Sequence, residues 1–116
     1  MKLPNAEKAI EERGKITDYL LDAAHPDDGG KAAFFHSLGF RRVAWRALAD
    51  GFLRLARAAE VAGTTESPHG RKYVMVGRIR SPDGRCATVQ TIWIIDSGCD
   101  AARLVTAYPQ KGWRYD

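Results

Sequence analysis

The chain has 116 residues, 45% hydrophobic and 28% charged, with a formal net charge of +4 and a mean hydropathy of −0.35. That length predicts one domain over 1–116, able to bury a core without disulfides or a structural metal. No apolar run approaches the roughly 20 residues that span a bilayer, and the opening MKLPNAEKAIEERGK has no apolar core of signal-peptide type. The expectation is therefore a cytoplasmic protein without a membrane partner.

In chain order, a helical half is predicted over 1–62 and a sheet half over 70–109. Residues 1–14 read as a polar lead-in with a short helical turn after Asn5. Ile16, Tyr19, Leu20 and Leu21 suggest a short amphipathic helix, closed by the breaker HPDDGG at 25–30. KAAFFHSLGF reads as a helix with Gly39 as its natural C-cap. In VAWRALADGFLRLARAAEVAG, the residues Trp45, Leu48, Phe52, Leu55 and Ala59 recur at steps of three and four, which is one packed helical face. Arg46, Asp50 and Arg54 share another face at i,i+4 spacing, so the arginines of 41–57 read as a solvated surface. GTTESPHG at 63–70 reads as a loop leading into the sheet.

The strands carry the strongest signals. In 71–80, Tyr73, Met75 and Ile79 point one way, and Lys72, Val74, Val76, Arg78 and Arg80 the other. SPDG places Pro and Asp at the central turn positions and Gly where φ must be positive, a tight hairpin. In 86–96, Ala87, Val89, Thr91, Trp93 and Ile95 oppose Thr88, Gln90, Ile92 and Ile94. In 103–109, Val105 and Ala107 oppose Leu104, Thr106 and Tyr108. Helices first and a meander after predict an α+β fold, with N-terminal helices packed on one face of a three- to four-stranded antiparallel sheet.

The charge is unevenly placed. Residues 1–68 hold ten Lys and Arg against ten Asp and Glu, whereas 69–116 hold eight against four. The whole excess lies in the sheet half, which suggests a polyanionic partner, or a sheet that carries Lys and Arg for solubility and edge protection. Cys86 and Cys99 flank a strand that holds them roughly 30 Å apart, beyond disulfide reach, so both are expected to be free thiols. The two cysteines and His25, His36 and His69 show no metal-ligand spacing, so neither a metal nor a cofactor is expected.

The blocks LPNAEKA, TDYLL, HP…KAAFF, SPDGR and RLVTAYP together resemble an uncharacterised bacterial domain family. It occurs as a short stand-alone protein and as a C-terminal module of toxin-like or phage-related chains. The layout also resembles the ribonucleases that group barnase, EndoU, colicin and RelE toxins. That likeness implies working residues on one sheet face, drawn from His, Lys, Arg, Thr or Ser and Tyr. This chain lacks the paired histidines of the EndoU type and the Glu/His pair of the barnase type.

Metal-free RNA cleavage needs a base for the attacking 2′-hydroxyl, an acid for the leaving 5′-oxygen and cations for the phosphate. Arg85, Thr106 and Tyr108 are the strand-side candidates, with Thr91 a possible companion on the same face. His25, Lys31 or His36 would reach in from the helical half. Arg71, Lys72, Arg78, Arg80 and Arg103 are the candidates for gripping nucleic acid, since an arginine fork matches phosphate oxygens. Each has a structural alternative: Arg85 as a hairpin flank, the threonines as cross-strand pairs, Tyr108 as a rim residue, His25 as a turn residue and His36 as a packed histidine. Trp93 reads as core, while Trp113 and Tyr115 could stack on bases. Three functional readings remain: a metal-independent ribonuclease toxin acting on RNA and restrained by a small acidic inhibitor protein; a nucleic-acid- or protein-binding module; and an immunity or antitoxin protein.

Overall fold

The computed structural model describes residues 1–10, 16, 21 and 34–109. Four strands form one antiparallel sheet in the order β1-β2-β3-β4: β1 (Val61–Ser67), β2 (Gly70–Arg80), β3 (Cys86–Asp96) and β4 (Arg103–Pro109). Helix α1 (Trp45–Ala58) packs on one face. The class is α+β, as the order of periodicities predicts. Among the described residues, no helix is long and apolar enough to cross a membrane.

The SPDG hairpin forms as its turn chemistry requires. Gly84 N donates to Ser81 O, Ser81 N donates to Arg85 O, and Gly84 sits at φ +92°, where a side chain would be strained. The unbroken ladder from Arg80↔Cys86 to Gly70↔Asp96 follows from that turn. The short helical turn at Ala6–Lys8 and the Gly39 cap also match the sequence. Gly39 N donates to His36 O and Phe40 N to Phe35 O, with Gly39 at φ +95°, a Schellman-type closure of the turn at 34–37. Of the amphipathic helix expected near 16–21, only Ile16 and Leu21 fall within the described residues, and both are buried.

Two expectations are corrected. The helix expected to reach residue 63 ends at Ala58, and the loop expected at 63–70 is mostly β1. Its β-branched pair Thr64 and Thr65 lies opposite Tyr73 and Lys72, and only Pro68 and His69 turn the chain. Strand pairing overrides the helix-forming Ala and Glu residues before it. In β4 the register shifts opposite Ile92/Trp93, so Leu104 lies against Trp93 and Thr106 against Ile92. This bulge at Val105 puts Leu104 in the core with Ala107, instead of beside Thr106 and Tyr108.

The core lies between α1 and the inner sheet face. Leu48, Phe52 and Leu55 share one buried cluster with Tyr73, Met75, Ile79, Val89, Trp93 and Leu104. The helix comes so close to β2 that a Cβ on Gly77 would stand 2.9 Å from Leu55 Cγ. The N-terminal segment crosses the sheet: Met1 O accepts from Val61 N, while Ile10 pairs with Arg103 at β4. Its ends are held by ion pairs of Met1 with Glu60 and of Lys8 with Asp100.

Candidate functional site

Because side chains alternate along strands, the register sorts every sheet candidate onto one of two faces. Thr91 goes inward, against the sequence expectation. It is fully buried, its hydroxyl donates to Met75 O at 3.2 Å, and it accepts Trp93 Nε1 at 2.9 Å. It anchors the core tryptophan and shares no face with Thr106. Arg71 lies opposite Ile95 on the inner side, beyond the helix; it pairs with Glu66 at 2.8 Å and sits 5.9 Å from the Tyr73 ring centroid.

The opposite, outer face carries the other candidates. Three cross-strand rows define it: Lys72–Ile94–Arg103, Val74–Ile92–Thr106 and Val76–Gln90–Tyr108, with Arg78 opposite Thr88 beyond them. On this face Ile94 is buried and Val74, Val76, Ile92, Thr106 and Tyr108 are half-buried. Gln90 Nε2 donates to Tyr108 Oη at 2.6 Å, which fixes the phenol against the sheet. Lys72, Arg78 and Arg80 are exposed, and none forms an ion pair among the described residues. Arg103 is engaged differently: its Nε and Nη2 grip the two oxygens of Asp96 at 2.8 and 3.1 Å. That bidentate pair holds the Asp96 carboxyl below its usual range.

Arg85 stands apart from Thr106 and Tyr108. It lies at the hairpin tip, five residues before Gln90 of the Gln90–Tyr108 row, roughly 17 Å at 3.3 Å per residue. Its guanidinium bonds Asp83 at 2.7 and 2.9 Å and Ser37 O at 2.8 Å, tying the tip to the end of the helical turn at 34–37. Ser81 Oγ also donates to Asp83. His36 is likewise structural: its two ring nitrogens lie 2.9 Å from Phe40 O and Leu21 O. His25, Lys31, Trp113 and Tyr115 lie outside the described residues. Among those described, the outer face holds no histidine or glutamate, and its Asp96 is paired. Both cysteines are free and exposed.

The Asp83 network has a pH signature. The Arg85 side chain foremost, then Ser81 and the Arg85 backbone N–H, hold the Asp83 carboxyl far below the ordinary carboxylate range. A lowered folded-state pKa contributes stability that is present above the unfolded pKa, about 3.9, and lost as pH falls through the folded value. Acidification below about pH 4 should therefore lower the melting temperature. Asp83→Asn should make that acid limb shallower, and added salt should narrow the difference because the pair is exposed. An acid limb identical in wild type and variant would show that the pair contributes nothing.

The sheet has a counterpart of known structure. A chain of the contact-dependent growth inhibition toxin–immunity protein complex from Klebsiella pneumoniae 342 superposes with a TM-score of 0.72. It is 15% identical, and the match covers 90% of this chain and 95% of that one. At that identity the likeness is one of fold. No curated protein matches the chain. The same strands whose turn and register build the outer face lie within the segment that a family model recognises: residues 2–111 match DUF6883, a domain of unknown function, and the chain belongs to that family.

Proposed function

We propose that this domain is a toxin effector that acts on RNA through the outer face of its sheet, without a metal ion. The observation that carries the reading is the register that gathers Lys72, Arg78, Arg80, Thr88, Gln90, Thr106 and Tyr108 on one face, opposite α1. The fold likeness to a chain of a toxin–immunity complex supports the toxin half of the proposal. In this reading the exposed cations hold phosphates, and the Gln90-oriented phenol and the Thr106 hydroxyl bind a phosphate oxygen or the 2′-hydroxyl. Arg71, Arg85 and Arg103 serve the fold through Glu66, Asp83 and Asp96. The general base comes from outside the described residues, and His25 and Lys31 are the sequence's candidates.

The test is incubation of the purified protein with total RNA or tRNA in chelator. Cleavage is expected, reduced on the order of a hundredfold or more by His25→Ala or Lys31→Ala, the usual range for loss of a general acid or base. The same variants should still bind RNA. Failure of wild type to cleave any RNA would end the enzymatic reading. A binding module would remain, and the lack of an available base on the outer face among the described residues is the observation in its favour.

A further inference from the structure

β2 outruns its neighbour. It pairs with β3 over all eleven residues from Gly70 to Arg80, but with β1 only as far as Met75. The turn bond from Ser81 N to Arg85 O sets the phase of the β2–β3 ladder, in which bonded positions alternate. Ile79, Gly77 and Met75 therefore bond toward β3. The backbone N–H and C=O groups of Val76, Arg78 and Arg80 point the other way, where no described strand receives them.

That edge is not bare. A groove of about 510 Å³ runs beside it, where α1 ends and β1 has not yet begun. Its floor is Leu55, Ala58, Ala59, Val76 and Gly77; Arg54, Arg78 and Glu60 form the rim. Glu60 is already engaged by the N-terminal amine at 2.9 Å and Lys2 at 3.6 Å, whereas Arg54 and Arg78 form no ion pair among the described residues.

We infer that the Val76–Arg80 edge of β2 is a docking site for an extended acidic segment of a protein partner, which adds as a strand in the line that β1 vacates. Main-chain bonds to Val76, Arg78 and Arg80 would hold it, and alternation fixes its chemistry. Side chains of one parity enter the apolar groove against Leu55, Ala58 and Ala59, while those of the other meet Arg78 and Arg80. The fitting sequence therefore alternates apolar and acidic residues. A second copy of this chain fits poorly, because paired β2 edges would set Arg78 and Arg80 against their own counterparts. Naming this partner the inhibitor of the domain would rest on the toxin reading; the site itself does not.

The experiment is amide hydrogen exchange on the intact chain with a synthetic ten-residue peptide alternating valine and glutamate. Saturating peptide should slow exchange at Val76, Arg78 and Arg80 by about tenfold or more. A counterpart with lysine for glutamate should leave them unchanged. Val76→Pro removes an edge N–H without touching the β3 ladder and should abolish binding, while Arg54→Glu should weaken it about tenfold. Circular dichroism and melting establish that both variants are folded; if Val76→Pro unfolds the chain, Arg54→Glu decides. Unchanged exchange with the glutamate peptide, or equal protection by the lysine peptide, overturns the inference. So does protection without peptide that fades on dilution, which would mark a second copy, or protection by a single-stranded RNA instead. None of these outcomes depends on whether the domain cleaves RNA.

Discussion

Trp93→Ala is expected to remove most of the stability of this fold. The indole is fully buried at the centre of the inner face, with Tyr73 across β2, Leu104 across β4 and its Nε1 bonded to Thr91. Truncating a buried tryptophan costs about 3–5 kcal/mol, because the lost transfer energy is joined by a cavity that the neighbours fill only in part. Against a total of about 5–15 kcal/mol for an ordinary domain, that leaves a marginal protein. The melting temperature should drop by roughly 10–25 °C, and urea unfolding should give the matching shift in midpoint. Trp93→Phe keeps most of the ring, and Thr91 retains its bond to Met75, so its loss should be clearly smaller. Equal losses in the two variants would mean that the Thr91 hydrogen bond, and not the filled volume, fixes this position.

The same residues explain what could be read before the fold was known. Tyr73, Met75, Ile79, Val89 and Trp93 announce their face by simple alternation, because β2 and β3 pair without a slip. The hairpin between them was legible because SPDG leaves the backbone few choices. β1 was hidden because Ala59, Glu60 and Ala62 prolong a helical pattern. What makes a strand of 61–67 is its partner in β2, and pairing across the sheet leaves only a weak mark in local sequence. The bulge at Val105 was invisible for a related reason: one extra residue reverses the faces, and nothing in RLVTAYP shows where it sits.

For the candidate site, residue type was a poorer guide than register. Arg71, Arg78, Arg85 and Arg103 are equivalent as letters. Glu66, Asp83 and Asp96 engage three of them, leaving Arg78 with Lys72 and Arg80 exposed on the outer face. Gln90 gave no signal of its own, since only the β3–β4 register brings its amide to Tyr108.

Replacing Lys72, Arg78 and Arg80 together by alanine should therefore weaken RNA binding far more than an equal loss of charge elsewhere. Each cation that neutralises a phosphate of a single strand contributes about −0.7 to the slope of log K against log salt. Three such contacts predict a slope shallower by about 2 in the triple variant, and an affinity lower by the order of a hundredfold at low salt. The control is the triple Arg46→Ala, Arg71→Ala, Arg85→Ala, which removes the same formal charge. Those three side chains lie over Trp45, against Glu66 and Tyr73, and against Asp83 and Ser37, away from the outer face. Their loss changes the net charge, and with it the long-range attraction that salt screens, but removes no contact on the proposed surface. Fluorescence anisotropy with a labelled single-stranded RNA across a salt series separates the two. If both triples lose the same slope, RNA is held by net charge alone and the outer face has no special role. A loss confined to the first triple assigns the phosphates to the face that β2, β3 and β4 build opposite the helix.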